Sequence, residues 1–189
     1  MRLATPRGER TRPTSERVRE AVFSSLASWA GSGDQPPQAQ MSGLAFLDLY
    51  AGSGAVGLEA ASRGACRVVL VESHAATARL IAQNVQTVTG ALWPAPAIEV
   101  ATRDVSVFLG QPGQPHDVVW LDPPYGEPIE AVLQRIVEGG WLVEDGLLIA
   151  ERSSRDGPPA WPAALSLTWR KDYGDTVIHY ARRPTTMEV

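Results

Sequence analysis

Only one of the 189 residues is cysteine, Cys66, so an internal disulfide is excluded. It reads as a small core-type residue. The three histidines, His74, His116 and His179, are scattered without metal-ligand spacing, so no metal site is expected and each reads as a surface or structurally satisfied side chain. No apolar run approaches the roughly 20 residues that cross a bilayer. The N-terminus, Met1-Arg2-Leu3-Ala4-Thr5-Pro6-Arg7, lacks the apolar stretch of a secretory signal, which predicts a cytoplasmic protein with no membrane partner. No internal repeat and no second domain is discernible. With 44% hydrophobic and 20% charged residues the composition is that of a globular protein, and the length suits one core.

Positive charge is scarce overall, giving a formal charge of -4, which at first argues against a polyanionic partner. Its distribution argues the other way. Residues 1–19 hold six arginines against Glu9 and Glu16, for +4, and residues 152–183 carry +3, whereas residues 20–151 carry -10. An acidic body with two basic ends suits a phosphate-binding rim, although a solvated basic tail has the same pattern. Arg10, Arg12 and Arg17 are candidate contacts to nucleic-acid phosphates, and residues 1–13 read as a basic arm before a single domain over 14–189.

Val18, Ala21, Val22, Leu26 and Trp29 recur at helical spacing, with Thr14 or Ser15 available as N-cap. Residues 31–42 are rich in breakers and read as a loop. Short apolar runs then alternate with helical patterns. The runs are 44–49, 68–71, 98–102, 118–121 and 147–151, and the helices lie near 56–62, 75–88 and 129–137. Continuous apolar runs suit parallel strands buried on both faces. Strand alternating with helix predicts an open, doubly wound, Rossmann-like α/β sheet. The runs 165–169 and 176–181, joined by Arg170 to Asp175, read as a terminal antiparallel hairpin.

Where the first strand hands over to a helix stands Asp48-Leu49-Tyr50-Ala51-Gly52-Ser53-Gly54-Ala55-Val56-Gly57. Glycines there permit a sharp turn and close approach to a ligand, and the helix N-terminus adds unpaired N–H groups. The segment also fits GxGxxG, so alone it equally suits a nicotinamide enzyme. Asp48 narrows the choice, because its charge would repel a pyrophosphate but suits the amino group of a bound methionine moiety, as in S-adenosylmethionine. Glu72, after the second run, is positioned for a ribose diol. Asp104 could accept from an adenine amine while the Val105 N–H donates to the ring, and Asp104 is also a natural helix N-cap. Asp48, Tyr50, Ala51, Gly52, Ser53, Gly54, Glu72, Asp104 and Val105 are therefore the candidate cofactor contacts.

The decisive motif is Asp122-Pro123-Pro124-Tyr125, directly after the run 118–121. Ligands of open α/β sheets bind at the strands' carboxyl edge. Two prolines fix φ and remove two N–H donors, so the turn offers a carboxylate and carbonyl oxygens. A planar exocyclic amine needs such acceptors, because its lone pair is delocalised and weakly nucleophilic. Tyr125 adds a ring on which a base can stack, worth roughly 1–3 kcal/mol. Asp122, Pro123, Pro124 and Tyr125 are the candidate catalytic residues. The same acceptors would serve a DNA adenine or a protein glutamine, although enzymes of those kinds more often carry Asn in place of Asp122 and an added target-recognition region. A catalytically silent RNA-binding relative is a further alternative.

Asp-Leu-Tyr-Ala-Gly-Ser-Gly-Ala-Val-Gly-Leu-Glu-Ala at 48–60, Asp-Pro-Pro-Tyr at 122–125 and Arg-Pro-Thr-Ser-Glu-Arg-Val-Arg-Glu at 12–20 together resemble the bacterial 16S ribosomal RNA guanine-N2 methyltransferase family. The resemblance implies a seven-stranded class I methyltransferase fold, S-adenosylmethionine as methyl donor, and a guanine of small-subunit ribosomal RNA as acceptor. It also implies a monomeric enzyme acting on an assembly intermediate of that subunit. By the same resemblance Thr14 and Arg17 approach the cofactor or the RNA. Members usually begin with a further glycine- and arginine-containing strand, whereas this chain opens close to the Arg-Pro-Thr segment, so part of the RNA-binding edge is expected to be missing.

Overall fold

In the computed structural model, which describes residues 15–90, 92 and 95–185, Ser15 rather than Thr14 starts the first helix: its hydroxyl accepts the Val18 N–H at 3.3 Å. The helix, α1 (Glu16–Trp29), lays Val18, Val22, Phe23 and Leu26 on the core. The chain then runs β1 (Ala45–Leu49), α2 (Ala55–Ser62), β2 (Arg67–Val71), α3 (Ala75–Thr89), β3 (Ala97–Ala101), α4 (Val105–Phe108), β4 (His116–Leu121) and α5 (Glu130–Glu138). It closes with β5 (Leu142–Ser153), β6 (Ser166–Tyr173) and β7 (Thr176–Arg182). The seven strands form one sheet in the order β3-β2-β1-β4-β5-β7-β6. The first five are parallel, and β7 runs antiparallel to both β5 and β6.

The continuous apolar runs are the central strands. Every residue of β1 is buried, as are four of five in β2, because helices cover both faces. On one face Phe46, Leu70, Trp120 and Ile149 pack against α1, α2 and α3; on the other, Leu47, Leu49, Leu121 and Ala150 pack against α4 and α5. β3 alternates in exposure because it is an edge strand with one neighbour. The strand order reverses between β1 and β4, and the crevice at that switch point opens at their carboxyl ends.

Several boundaries differ from expectation. β5 begins at Leu142, five residues before the apolar run, because it pairs with β4 from His116↔Leu142 across an irregularity that spans the polar Glu144-Asp145. The hairpin strands continue through Arg170-Asp172, leaving only Gly174-Asp175 as the turn. The breaker-rich loop contains one short 3₁₀ turn, Pro37–Ala39, and α4 was too short to show a helical period. Cys66 is exposed rather than core: it lies just before β2, at the rim of the sheet, where its thiol donates to the Gly43 and Leu44 carbonyls. His116 is fully buried, yet neither ring nitrogen has a hydrogen-bond partner among the described residues. Burial, aided by the Arg67 charge, lowers its pKa to about 4, which keeps the imidazole neutral.

Phe23 is fully buried, its ring 6.3 Å from that of Phe46 and 4.9 Å from the Arg63 guanidinium. Phe23→Ala is expected to cost about 3–5 kcal/mol of unfolding free energy through the lost burial and the cavity left behind. Denaturant unfolding measures it; a loss under 1 kcal/mol would mean that α1 is not a structural part of the core.

Candidate active site

The first strand ends in a turn built for close approach. Tyr50 (φ 65°), Gly52 (φ 54°) and Gly54 (φ 77°) take left-handed conformations, the strained one being Tyr50 because it carries a side chain. A Cβ on Gly52 would meet only the Tyr50 carbonyl oxygen, at 4.0 Å, so the backbone is open to a ligand there. A Cβ on Gly54 would instead press on Ile81 Cγ2 at 3.1 Å, so this glycine serves the packing of α3. The turn is held from below and from the side. The buried Asp48 carboxylate oxygen Oδ2 accepts the Gly57 N–H at 2.9 Å, and Glu72 Oε2 accepts the Gly52 N–H at 3.0 Å. Glu72 Oε1 accepts the His74 N–H at 2.7 Å.

The carboxyl end of β4 brings the second loop alongside. Asp122 N–H donates to the Leu49 carbonyl at 3.4 Å, so the Asp-Pro-Pro-Tyr turn is docked on the residue that precedes the glycine turn. The Pro124 carbonyl is taken by the Glu127 N–H, and the Asp122 carboxyl and the Pro123 carbonyl are further acceptors at this turn. Across the crevice the Tyr50 hydroxyl donates to Glu127 Oε1 at 3.0 Å, tying the two loops together. Tyr125 is 69% exposed, an unusual position for a large ring.

Between these loops lies a cavity of about 230 Å³. Tyr50 and Gly52 form one wall, Glu72, Asp104 and Val105 another, and Asp122, Pro123, Pro124 and Tyr125 the third. Nine residues expected from the sequence thus converge there. Val71 and Ser73 line it too and were missed, although both flank Glu72 at the end of β2, where position alone marks them. Asp48, Ala51, Ser53 and Gly54 are not on the cavity wall. Asp48 and Ala51 are buried beneath it, and the Ser53 carbonyl accepts from Asn84 Nδ2 at 3.2 Å, so these residues shape the turn. Asp104 is the N-cap of α4, accepting from the Ser106 hydroxyl at 2.5 Å and from the Ser106 N–H at 2.8 Å, and those bonds lower its pKa. Arg17 is exposed on the first turn of α1; Arg10, Arg12 and Thr14 lie outside the described residues. Among the described residues no three His, Cys, Asp or Glu side chains are grouped to hold a metal ion.

The comparisons with known proteins bear on this geometry. Residues 1–182 match the family model described as Conserved hypothetical protein 95. The chain is 32% identical to ribosomal RNA small subunit methyltransferase D of Escherichia coli K12, over 96% of this chain and 84% of that one. It is also 32% identical to the protein of the same name from Haemophilus influenzae, over 92% and 83% of the two chains. The solved structure of yhhF from Escherichia coli, titled as a candidate methyltransferase, superposes with a TM-score of 0.79 at 32% identity, covering 96% of this chain and 91% of that one. The chain belongs to this methyltransferase family. Its sheet, five parallel strands closed by an antiparallel hairpin, is the class I methyltransferase fold.

The electrostatics of this methyltransferase site are set by carboxyls pressed into one face of the sheet. Burial is the main cause of a rise in the Asp48 pKa to about 7; the Gly57 bond opposes it and the Glu72 charge adds to it. Asp122 is also raised well above the ordinary carboxylate value, by burial first and then by the Glu151 and Asp48 charges. For Asp48 the folded pKa exceeds the unfolded value of 3.8, so its contribution to stability is full below about pH 4 and is lost as pH rises through 7. The ligand-free protein should therefore lose more thermal stability between pH 5 and 8 than its Asp48→Asn variant, whose amide oxygen can still accept from Gly57. Parallel pH profiles of melting temperature would show that Asp48 is ionised throughout.

Proposed function

We propose that this methyltransferase uses S-adenosylmethionine to methylate the exocyclic N2 of a guanine in 16S ribosomal RNA, acting as a cytoplasmic monomer during small-subunit maturation. One observation carries the reading: the Asp122-Pro123-Pro124-Tyr125 turn and the glycine turn line the same cavity. The names of the relatives from Escherichia coli and Haemophilus influenzae support small-subunit ribosomal RNA as the substrate class.

The residues present fit the methyl donor. Gly52 leaves its backbone open, Glu72 keeps a second lone pair on each oxygen for a ribose diol, and Asp104 and the Val105 N–H offer an acceptor and a donor to an adenine edge. Val71 and Val105 add apolar surface. Asp48 acts from beneath by holding the glycine turn through Gly57. Arg17, exposed on the first turn of α1, and Arg10 and Arg12 earlier in the sequence are the cations proposed to meet RNA phosphates, and Thr14 is proposed to meet the cofactor. When bound, S-adenosylmethionine supplies an electrophilic methyl carbon on a positively charged sulfur.

Asp122 and the Pro123 carbonyl accept the two N–H bonds of the guanine amine, drawing its lone pair out of conjugation with the ring. The bound donor would supply its methyl group to this nitrogen, its sulfur keeping the electron pair of the C–S bond, and the methylated amine would then be acidic. Asp122 takes up the departing proton and releases it to solvent. Tyr125, exposed beside these acceptors, stacks on the base once it has left its own stack, at a cost of a few kcal/mol.

Mass mapping of modified nucleosides in small-subunit ribosomal RNA from cells with and without this gene tests the assignment; one N2-methylguanine should disappear with the gene, and an unchanged map rejects it. Asp122→Ala should keep S-adenosylmethionine affinity and lose about 10²–10³ in turnover, the usual effect of removing one preorganised group. An active Asp122→Ala enzyme would place the chemistry elsewhere. Because Asp122 can take up the amine proton only when ionised and its pKa is raised, kcat/KM should climb with pH through a range above the ordinary carboxylate pKa. A profile flat from pH 5 to 8 would mean that Asp122 does not titrate in the free enzyme.

A further inference from the structure

A second cavity, about 90 Å³, lies beside the Asp-Pro-Pro-Tyr turn and is distinct from the larger one. Tyr125 belongs to both. Glu151, Tyr173, Asp175 and Thr176 supply its other walls, and the start of α1 closes it at Ser15. Two tyrosines and two carboxyls around a small space suit a planar ring with N–H donors on its edge, and Tyr125 is the residue common to it and the cavity that fits the methyl donor.

The sheet register explains why Glu151 stands there. β4 and β5 are parallel, with Trp120↔Ile149 and Leu121↔Ala150 as neighbours, so the next residues on each strand are Asp122 and Glu151. Neighbours in parallel register point to the same face, about 4.8 Å apart across the ladder. The pair thus forms two carboxyls side by side, Asp122 lining the larger cavity and Glu151 the second; a third, smaller space is lined by both and shares Tyr125 with each. Asp175 also lines the second cavity, but on the exposed hairpin turn, away from the Asp122 strand end.

Guanine carries two kinds of donor on one edge, the N2 amine and the adjacent N1–H. Adenine and cytosine place a ring-nitrogen acceptor next to their amine, which a carboxylate repels. We infer that the second cavity receives the acceptor base and that Glu151 accepts the guanine N1–H while Asp122 holds the neighbouring N2 amine, making Glu151 the residue that selects guanine. This rests on the guanine-N2 reading above and adds to it the group that reads the base. The Asp122 pKa, raised by burial first and by the Glu151 charge second, agrees with a carboxyl pair whose mutual repulsion is relieved when adjacent donors arrive.

The test uses two semi-synthetic small-subunit ribosomal RNAs, offered both naked and reconstituted with ribosomal proteins, with guanine or 2-aminopurine at the mapped position. 2-Aminopurine keeps the amine but has an acceptor in place of N1–H. Wild-type enzyme should favour guanine by at least about 100-fold in kcat/KM, since a site built for a hydrogen bond strongly rejects an analogue that cannot make it. Glu151→Gln, whose amide can donate to the ring nitrogen, should lower the guanine rate at least tenfold, spare 2-aminopurine, and so shrink the ratio to about tenfold or less. Affinity for S-adenosylmethionine, measured by calorimetry, should not change. Glu151→Asp, which keeps the carboxylate, should retain the preference at a reduced rate and serves if Glu151→Gln does not fold. Equal use of both RNAs by wild type overturns the inference, as does an unchanged ratio in Glu151→Gln or an equal loss on both RNAs. Wild type that methylates neither RNA rejects the guanine-N2 reading itself, and the role of Glu151 falls with it.

Discussion

Beneath the glycine turn, the Asp48 carboxyl accepts the Gly57 N–H in an almost fully buried position. That bond fixes where α2 begins and so how the backbone at Gly52 faces the crevice. It is a demanding constraint. A Cβ on Gly57 would collide with a methyl of Leu70 and come within 3.2 Å of the carboxyl itself, so helix and strand approach as closely as glycine allows. The carboxyl also pays for its position by giving up solvation, which is why its proton is held to about pH 7.

The remainder of the site follows from parallel register. Side chains in register on neighbouring parallel strands share a face, so Asp48 on β1, Asp122 after β4 and Glu151 on β5 all stand on the face covered by α1, α2 and α3. Burial is the first cause of the raised Asp122 pKa, and the repulsion among three acids gathered in this way adds to it. A site with this electrostatic character suits a positively charged donor and an acceptor rich in N–H groups. The Tyr50–Glu127 bond and the Asp122 N–H to the Leu49 carbonyl then tie the two loops to each other.

Much of this was readable beforehand. The central strands announced themselves through unbroken apolar runs, since burial on both faces removes the alternation that marks a one-sided strand. The two loops carried their chemistry in residue types that have few other uses in succession, glycines at positive φ and consecutive prolines after a strand. Boundaries were harder to read. The early start of β5 is hidden because Glu144 and Asp145 are polar and the pairing that makes them strand comes from β4. Cys66 looked like core by residue type, but its place before β2 puts it at the rim.

Residue order along the chain therefore settled the sheet class, the two ligand-facing turns and the acids that follow strands β2, β3 and β4, because those features are local: period, glycine, proline and position at a strand end. It could not separate Asp48, which supports the turn from below, from Gly52 and Glu72, which line the cavity. Nor could it bring Glu151 beside Asp122. Both depend on which strands become neighbours and in what register, and that is decided by packing between segments distant in the chain, such as Trp120 and Ile149.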